Sequence, residues 1–583
     1  MKKTSKQLGF VVLLLTFVAV NFIAVSWHKR FDLTQEKRYS LSAATKDLLY
    51  GLNDQLTIYV FLKGDLPADF RRLSNATEDF VRTLRETNSS KVRYKFINPD
   101  DEVISGKTWG DSLKAMGILP INLSVQVKSG QEFKYAYPAA LINYKGQAIS
   151  FYLVEKQQRA SSMIEINNAE ALLEYRFAKN ISQLINNQKQ LIGYAVGNGE
   201  PTDATAFALR YAIDPESVPK DIINPTYFDV AAKSNYALGL FNLKDQKAIP
   251  DTFKAMLITK PTEPFTEDEK LKLDQYIMRG GKVLWFLDVL HAEQDSLSYK
   301  SQLIAYNRNL NIQDLLFSYG VRINPDLIMD LQCDYLPFAV GGTPQQPQYE
   351  FLKWNYYPLF ESRNNHPINK NLGLVAGKFV NSIDTIETAG LRKTYLLQSS
   401  NNSRTISTPV LISPNENRNA PEDALFKKTG IPAGVIVEGK FTSFYKNRIG
   451  RATIDSLQAL GGYREESMPN KMIVVADGDI LLNQVSSRLG PLPMGMNLFT
   501  LGSQYEYQFA NRDFLLNCLE YLTSSNTIAE SRNKEIVLRL LDNKKVEAEK
   551  SQWQLINIAL PIAFIILFGV IYQQGRKRKY ASA

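Results

Sequence analysis

Histidine and cysteine are scarce in this sequence of 583 residues. It contains three histidines, His28, His291 and His366, and two cysteines, Cys333 and Cys518. A zinc site of the Cys/His type needs three or four clustered ligands, and these residues are too far apart in the sequence to suggest one. Catalysis by a cysteine or serine nucleophile usually needs a histidine as its base, and no such pairing can be recognised in the sequence. We therefore predict no catalytic, cofactor-binding or metal-binding residue, and we expect a protein that is not an enzyme.

The two cysteines leave two interpretations open. A disulfide between Cys333 and Cys518 is compatible with a location outside the cytoplasm. Cys518, however, lies in the apolar segment 514–519, which has the pattern of a helix, and this favours a buried free thiol. His366 lies in the turn-like sequence Asn-Asn-His-Pro, which favours a structural role over a catalytic one.

Nucleotide-binding motifs are also absent from the sequence. The fragment GKT at 106–108 lacks the first glycine of a P-loop and does not follow a buried strand. The sequence GNG at 197–199 follows a predicted strand, as a dinucleotide-binding loop does, but Glu200 and Pro201 come next. They place a negative charge where a phosphate would bind and prevent a helix from starting. The net charge of +9 is diluted over the chain, so we expect no nucleic-acid partner.

Two apolar runs are long enough to cross a membrane. The run 553–572 contains no charged residue and is followed by the basic sequence RKRK at 576–579. About 20 apolar residues span the ~30 Å hydrocarbon core of a bilayer, and such basic clusters stay on the cytoplasmic side. The other run, residues 8–27, follows three lysines near the N-terminus. We predict transmembrane helices at 8–27 and 553–573.

The N-terminal run allows an alternative, a cleavable signal peptide. Ala24 and Ser26 could form its cleavage site, but the run is longer than the about 7–15 apolar residues of a signal peptide, and Trp27 follows directly. We favour an uncleaved anchor. With two spans both ends lie on the same side, so the tails 1–7 and 574–583 are predicted to be cytoplasmic. The large region between the spans is then periplasmic.

The chain as a whole has the composition of a globular protein, with 44% hydrophobic and 22% charged residues. Residues 28–160 show the order strand, helix, strand, helix, strand, strand, with Pro120 just before the third strand. This order resembles a thioredoxin-like fold. The segment 63–67 replaces the redox cysteines, so we predict a thioredoxin-like domain without redox activity. The predicted strands are 55–62, 92–97, 122–127, 133–142 and 147–154.

Residues 161–530 are predicted to form a larger α/β domain. A helix over 161–187 joins the two domains, and strands then alternate with helices, which indicates a largely parallel sheet with helices on both faces. Such a domain resembles the class I glutamine-amidotransferase and flavodoxin-like folds. Residues 334–422 are expected to decorate it with insertions and hairpins. The predicted strands are 191–196, 254–259, 282–287 and 471–476, and the predicted helices are one capped by Thr266, 307–319 and 503–523.

Asp477 and Asp479 are the most suggestive polar residues, because they directly follow the predicted strand 471–476. Open α/β sheets bind ligands at the carboxyl ends of their strands. Aspartate is also common in turns, where it bonds to the nearby backbone, and this structural role is favoured.

The segment 531–552 is predicted to be a charged helical stem that runs into the second span. It contains no glycine or proline and is rich in strong helix formers. A stem that is continuous with the span would act as a rigid rod. The alternative is a solvated tether.

Four short sequences together resemble one family. They are DLTQEKRYSLS at 32–42, KLDQYIMRGGK at 272–282, VVADGD at 474–479 and WQ at 553–554. They resemble the GldG family of gliding-motility-associated ABC-transporter auxiliary proteins of the Bacteroidetes. The resemblance implies a multi-span permease and a cytoplasmic ATPase as partners, contacts with periplasmic envelope or secretion components, and a role in gliding motility or type IX secretion.

Three hypotheses follow for the function. The first is a non-enzymatic, membrane-anchored periplasmic subunit of an ABC-type complex, because two spans are too few for a transport path and no ATP motif is present. The second is an extracytoplasmic ligand-binding or hydrolytic protein with a site near Asp477 and Asp479. The third is a scaffold of the cell envelope without a coupled ATPase.

Overall fold

The computed structural model describes residues 16–17, 40–104, 106–127, 130–154, 163–185, 188–230, 232–294, 302–343, 346–370, 372–413, 423–458, 461–524 and 543–580. The chain divides into two compact units, residues 1–535 and 536–583. The described residues form a mixed α/β protein with several sheets.

The N-terminal part of the first unit contains a four-stranded sheet covered by helices. Its elements are α1 (Ala43–Tyr50), β1 (Leu56–Val60), α2 (Ala68–Thr87), β2 (Val92–Phe96), β3 (Glu102–Ile104), β4 (Lys107–Thr108), α3 (Trp109–Ala115), β5 (Ile121–Val127), β6 (Gly130–Ala136), β7 (Ala139–Tyr144), β8 (Gln147–Tyr152), α4 (Met163–Ala171) and α5 (Leu173–Ile185). The sheet order is β2-β1-β7-β8, with β1 and β2 parallel and the other neighbours antiparallel. Leu56, Ile58 and Val60 of β1 are fully buried in a core that also contains side chains of α2 and α5.

The predicted third strand of this region does not join the sheet. Among the residues that the structure describes, β5 pairs with β6 alone, and the two form a separate antiparallel sheet. The strand predicted over 133–142 is interrupted at Tyr137-Pro138, since proline cannot donate to a ladder, and the chain enters the sheet only at Ala139. The turn predicted between the last two strands is present, with Lys145 and Gly146 at φ of 50° and 76°.

The helix predicted over 161–187 is two helices, α4 and α5, which meet at Leu172. Ile166 of α4 and Phe177 of α5 are buried in the same core as β1. The Tyr175 hydroxyl on α5 donates a 2.5 Å hydrogen bond to the carboxylate of Glu520 in the larger part of the unit. This helix pair therefore completes the N-terminal core and also contacts the second core.

The larger part of the first unit is built on a seven-stranded sheet. Its elements are β9 (Gln190–Val196), α6 (Phe207–Ile213), β10 (Tyr236–Asn242), β11 (Ala255–Thr259), α7 (Glu267–Met278), β12 (Lys282–Phe286), β13 (Leu290–His291), β14 (Leu303–Asn307), α8 (Gln313–Ser318), β15 (Val321–Ile323), β16 (Asp326–Asp330), β17 (Cys333–Thr343), β18 (Gln346–Phe360), β19 (Val375–Ala376), β20 (Ile383–Thr385), β21 (Leu391–Gln398), β22 (Ser403–Ser407), β23 (Val410–Ile412), β24 (Pro432–Gly439), α9 (Arg451–Gln458), β25 (Asn470–Val475), β26 (Val485–Ser486), β27 (Gly490–Pro491) and α10 (Asn511–Thr523). Short 3-10 helices lie at Ala204–Ala206, Pro215–Ser217, Lys220–Ile222, Asp423–Leu425, Asp479–Leu481 and Leu498–Thr500.

The strand order in this sheet is β10-β9-β11-β12-β25-β24-β21. The first five strands are parallel, and β24 is antiparallel to both of its neighbours. Numbered along the chain, the parallel strands have the order 2-1-3-4-5, which is that of flavodoxin-like doubly wound sheets. The prediction of a largely parallel sheet is confirmed.

Both faces of the sheet are covered, because successive side chains of a strand point to opposite sides. Met256 and Ile258 of β11 pack with residues of α7 and α8 on one face. Ala255 and Leu257 pack with α6 and α10 on the other face. The expected layers of helix, sheet and helix are therefore present.

Two predicted helices are shorter than expected. The helix predicted over 307–319 begins only at Gln313, because Asn309 and Asn311 adopt positive φ and the Asn311 side chain donates to Phe265 O. The helix predicted over 503–523 begins at Asn511. Before it, Tyr505 stacks on Tyr335 at 4.2 Å between ring centroids, and this contact requires an irregular chain.

The insertion predicted over 334–422 contains strands of several small sheets. The longest pair is the antiparallel ribbon of β17 and β18, and β16 pairs with β22. The prediction that this whole segment lies outside the α/β core is wrong for β21. This strand pairs with β24 and forms an edge of the main sheet. β10 and β24 are strands that the sequence did not predict.

The second unit is described as one helix, α11 (Asn543–Tyr580), of 38 residues with Pro561 inside it. Its segment Glu549–Arg578 contains a stretch of 18 residues with a mean hydropathy of 2.5, and none of the residues in this stretch is buried. It is the one helix among the described residues that is long and apolar enough to cross a membrane. The first predicted span, 8–27, lies outside the described residues except for Thr16 and Phe17, as does the part of the predicted stem before 543.

Candidate functional site

The loops after three neighbouring parallel strands bring charged side chains together at the carboxyl edge of the main sheet. Lys260 follows β11, Asp288 follows β12, and Asp477 and Asp479 follow β25. Ligand oxygens of the three aspartates all lie within 4.8 Å of one another. The two aspartates singled out from the sequence are therefore part of a larger cluster.

Lys260 is the central cation of this cluster. Its Nζ lies 2.8 Å from both carboxylate oxygens of Asp479 and 2.9 Å from Glu293 Oε2. Asp288 Oδ2 is 3.4 Å away. The Lys260 side chain is only 9% exposed, so these contacts are shielded from solvent and weakly screened by salt.

The backbone of Lys260 is held in an unusual conformation, with a φ of 46°. Gly478 passes close to it: a Cβ at Gly478 would lie 2.5 Å from Lys260 Cβ. Glycine is required at position 478 because any side chain would collide with Lys260. The Asp-Gly-Asp sequence thus places two carboxylates around a position that must be glycine.

Backbone amides fix the other two aspartates. Asp288 Oδ1 accepts a 2.5 Å hydrogen bond from Gly478 N. Asp477 Oδ1 accepts from Asp479 N, and its Oδ2 accepts from Lys378 N, both at 2.8 Å. Asp477 is fully buried. The aspartates therefore tie together the loops after two strands and the segment around Lys378.

The segment after β12 and the strand β14 close one side of the cluster. Glu293 pairs with the Arg308 guanidinium as well as with Lys260. Arg308 Nε donates to Leu290 O at 2.9 Å, and its side chain is 6% exposed. Lys378 Nζ lies 5.9 Å from the ring centroid of Tyr357. Cations thus surround the aspartates from three separate segments.

The carboxylic acids differ in ionisation. Burial, together with the charges of Asp288 and Asp479, raises the pKa of Asp477 well above its ordinary value. Burial also raises the pKa of Asp288 to about 6, although Lys260 opposes this. Burial would raise the pKa of Asp479 too, but the positive charges of Lys260 and Lys378 hold it below the usual value.

Lys260 remains protonated at neutral pH. Burial alone would lower its pKa, but the charges of Asp479, Asp288 and Glu293 raise it well above the ordinary value. Three aspartates at a strand edge could in principle hold a divalent cation. Here the Lys260 ammonium occupies the centre of the carboxylates, so the cluster has its own internal cation. The arrangement joins loops and balances charge, and the described residues around it bring no cysteine or histidine nucleophile to the aspartates.

The other candidates from the sequence lie elsewhere. Cys333 and Cys518 are buried free thiols, which confirms the favoured interpretation, and burial raises the pKa of Cys333. His366 Nδ1 accepts from Ile368 N at 3.3 Å, and burial lowers the His366 pKa to about 4. The structural role predicted for His366 stays a prediction.

In the two glycine-containing fragments, groups that could contact a phosphate are engaged within the protein. Thr108 caps α3 through a capping box with Asp111, so its hydroxyl and the nearby backbone are already engaged. Asn198 N, which would face a phosphate in a dinucleotide loop, donates a 2.7 Å hydrogen bond to Glu200 Oε2. Glu200 therefore takes the place of the anion, as the sequence indicated.

Five residues of the cluster were missed by reading the sequence. Lys260 and Asp288 directly follow predicted strands, so the rule that selected Asp477 also applies to them. Glu293, Arg308 and Lys378 lie in irregular segments, and no local pattern marks them.

Comparison with known proteins identifies the family. Residues 189–518 match a family described as "ABC-type uncharacterized transport system", and this match covers more than half of the chain. The chain belongs to this family. The match spans the seven-stranded sheet and its insertions, so the ion cluster lies within the family domain. Residues 35–143 match a domain of unknown function. Membership of the ABC-transport auxiliary family confirms the coarser part of the resemblance found in the sequence.

Individual relatives add little about function. An uncharacterized protein of Borreliella burgdorferi is 22% identical over 99% of this chain and 100% of its own length. Among solved structures, an mmIFT52 N-terminal domain is 11% identical and covers 58% of this chain and 98% of its own, with a TM-score of 0.29. An exo-beta-1,4-mannosidase from an Opitutaceae bacterium is 10% identical and covers 76% and 51%, with a TM-score of 0.16. These two scores are too low to show a shared fold.

Proposed function

We propose that the chain is a non-enzymatic, membrane-anchored auxiliary subunit of an ABC-type transport complex. The observation that carries the proposal is the family match over the α/β domain, 189–518, in a chain that also contains the apolar helix Glu549–Arg578. A folded domain joined to a single described membrane-length helix is suited to regulating or positioning a transporter. It is not suited to forming the transport path.

The missing parts of such a transporter must come from partners. A transport path needs several membrane helices around a polar interior, and the sequence contains at most two candidate spans. It also lacks a P-loop for ATP. A multi-span permease and a cytoplasmic ATPase bound to it would supply both functions, and periplasmic envelope or secretion components are further contacts of the exposed domains.

The orientation follows from charge. The basic residues 576–579 come at the end of α11, so the positive-inside rule places the C-terminal tail in the cytoplasm. With an uncleaved span at 8–27 the N-terminus is cytoplasmic too, and 28–552 lies in the periplasm. In this proposal the N-terminal sheet belongs to a thioredoxin-like domain; its order β2-β1-β7-β8 and the helix between β1 and β2 support that assignment.

The lack of enzymatic activity is part of the proposal. The charged groups at the carboxyl edge are paired with one another around Lys260, and both cysteines are buried. The alternative of a ligand-binding or hydrolytic protein would require a substrate to displace Lys260 from Asp479. An envelope scaffold would share the fold but would not bring an ATPase with it.

The proposed process is gliding motility and the associated secretion. Its support is the similarity of residues 32–42, 272–282 and 474–479 to gliding-motility auxiliary proteins. Deletion of the gene in a gliding host should abolish spreading and secretion without slowing growth, and the full chain should restore both. Normal gliding in the deletion strain would remove this part of the proposal and leave the transport assignment intact.

A photo-crosslinking scan of α11 tests for the permease. A photoreactive amino acid is placed singly at each position from Leu555 to Tyr572 in cells that express the neighbouring genes. The proposal predicts adducts with one multi-span protein, recurring every three or four positions along one face of the helix. A scan that gives lipid adducts alone would contradict a permease partner.

Reporter fusions test the orientation. A reporter that is active only in the cytoplasm should work after Ala583, and one that is active only outside should work when it is inserted near Gly342 at the tip of the β17–β18 ribbon. A C-terminal reporter that is active in the periplasm would reverse the domain placement.

A further inference from the structure

Three buried side chains near the carboxyl end of β9 each leave one oxygen without a hydrogen-bond partner. These oxygens are Asn198 Oδ1, Glu200 Oε1 and Glu269 Oε1. The three residues are 0%, 7% and 1% exposed. They lie on the loop after β9, which is the first strand of the sheet along the chain, and in the first turn of α7. None of them belongs to the Lys260 cluster.

Asn198 connects the two carboxylates. Its backbone N donates to Glu200 Oε2 at 2.7 Å, and its Nδ2 donates to Glu269 Oε2 at 3.3 Å. Nδ2 also donates to Pro264 O at 3.3 Å. Asn198 Nδ2 faces two acceptors, Pro264 O and Glu269 Oε2. If the amide group were turned over, its oxygen would face these two acceptors and could not donate to them. The orientation is therefore determined by its partners, and the amide oxygen remains the atom without one.

The surrounding backbone is well fixed. Gly197 and Gly199 have φ of 121° and 79°, which lets the chain reverse around Asn198. Asn198 O accepts hydrogen bonds from the backbone N of Thr262 and of Glu263, both at 2.8 Å. The bonded oxygen of Glu269 belongs to the capping box of α7, where Thr266 N donates to it at 2.7 Å. These hydrogen bonds hold the loop after β9 against the start of α7. They do not involve Asn198 Oδ1, Glu200 Oε1 or Glu269 Oε1.

The chemistry of these three atoms selects the kind of ligand. All three are acceptors, and two belong to carboxyl groups. Lys244, a nearby lysine, is engaged with Glu263 at 3.0 Å and is exposed. A single proton would satisfy one oxygen, whereas a divalent cation would also offset the buried charge of the two carboxylates. A set made only of carboxylate and amide oxygens is typical of hard cations such as Ca²⁺.

We propose that Asn198, Glu200 and Glu269 form a binding site for a hard divalent cation, with Ca²⁺ as the preferred ion. Bound there, the ion joins the loop after β9 to the N-terminus of α7 and stabilises the larger domain. This site does not depend on the proposed transport function.

The test uses the full-length protein in detergent, first treated with EDTA and then dialysed. Calorimetric titration with CaCl₂ should show saturable binding, and thermal unfolding should shift upward with added CaCl₂ but less with MgCl₂. The variant Glu200→Gln keeps the shape of the side chain and removes one charge. It should bind Ca²⁺ at least tenfold more weakly and lose the thermal shift. Glu263→Gln, which removes an exposed carboxylate close by, should behave like the unaltered protein.

Two sets of results would overturn the cation site. If the oxygens instead share a proton, the unaltered protein gains nothing from CaCl₂, and Glu200→Gln is more stable than it in EDTA. That pair of results overturns the proposal, as does equal Ca²⁺ binding by Glu200→Gln and the unaltered protein. If Glu200→Gln fails to fold, Glu200→Asp keeps the charge on a shorter side chain and should bind Ca²⁺ measurably more weakly; unchanged affinity in that variant also contradicts the site.

Discussion

Lys260 Nζ lies 2.8 Å from both carboxylate oxygens of Asp479, a residue 219 positions away in the sequence. This ion pair links the loops that follow β11 and β25, which are not neighbours in the sheet, across the end of β12. It makes the carboxyl edge a closed structure rather than an open ligand cleft. The stability of the α/β domain should therefore depend on the Lys260 cluster.

Replacing the central cation should destabilise the domain strongly. Lys260→Met leaves the buried Asp288 and the partly buried Asp479 and Glu293 without their common partner, and removing one member of a buried ion pair costs about 3–5 kcal/mol. Urea denaturation of the detergent-solubilised protein, followed by tryptophan fluorescence, measures the loss. Lys244→Met is the matched control, because its pair with Glu263 is exposed and is expected to contribute about 0–1 kcal/mol. Equal losses in the two variants would contradict the role assigned to Lys260.

A single methyl group at Gly478 should disturb the same cluster. The added Cβ of Gly478→Ala would lie 2.5 Å from Lys260 Cβ and 2.9 Å from its Cα, so the loop must shift. Overpacking of this kind costs about 1–3 kcal/mol. Gly450→Ala is the control, since nothing lies within 4 Å of its added Cβ. Thermal unfolding that is lowered in both variants alike would argue against the close approach of the two loops.

His366 should make the domain sensitive to mild acid. Burial lowers its pKa to about 4 in the folded state, below the ordinary value of 6.5. As the pH falls, the His366 imidazole is protonated in the unfolded chain before it is protonated in the folded one. The free energy of unfolding therefore decreases between about pH 6.5 and pH 4, and His366 has no effect on it above that range. At pH 4.5 the loss is about 2 kcal/mol.

The variant His366→Gln isolates this contribution from that of the carboxyl groups. Urea denaturation at pH 7.5 and pH 4.5 should show a smaller loss of stability in the variant than in the unaltered chain. The difference between the two losses should be about 2 kcal/mol. The same pH dependence in both proteins would show that His366 is not buried as described.

The continuity of α11 predicts how the membrane helix is coupled to what precedes it. The helix runs without a break from Asn543 through the apolar segment, so its first turns can act as a rigid extension. Two prolines placed within 543–547 should break these turns and leave the span intact. We expect assembly with the permease to survive and gliding or secretion to fail. Two alanines at the same positions are the control, and full function with the prolines would favour a flexible tether.

The central strands could be predicted from the sequence because their signal is local. β11, β12 and β25 are short runs of buried apolar residues, and Thr266 with Glu269 marks the start of α7. β10 and β24 were not predicted because each contains a glycine, Gly239 and Gly434, and β24 begins with Pro432. Their positions depend on pairing with β9 and β25, respectively, which are distant in the sequence.

The site was predictable only in part, for a similar reason. Asp477 and Asp479 could be selected because they follow a strand in the known order of an α/β sheet. Glu293 and Arg308 join them through the antiparallel pairing of β13 with β14, which no periodic pattern marks. The helix predicted from residue 503 fails because the stacking of Tyr505 on Tyr335 is a contact between distant segments.

Affinity purification of the intact complex tests the central claim most directly. The chain, tagged at its C-terminus and expressed from its own locus, is extracted in mild detergent, and co-eluting proteins are identified by mass spectrometry. A control chain carries an unrelated membrane span in place of 553–573. The account predicts that a multi-span permease and an ATP-hydrolysing subunit elute with the unaltered chain in fixed ratio, and that the control recovers less of both. Elution of the unaltered chain as a single species without either partner would contradict it.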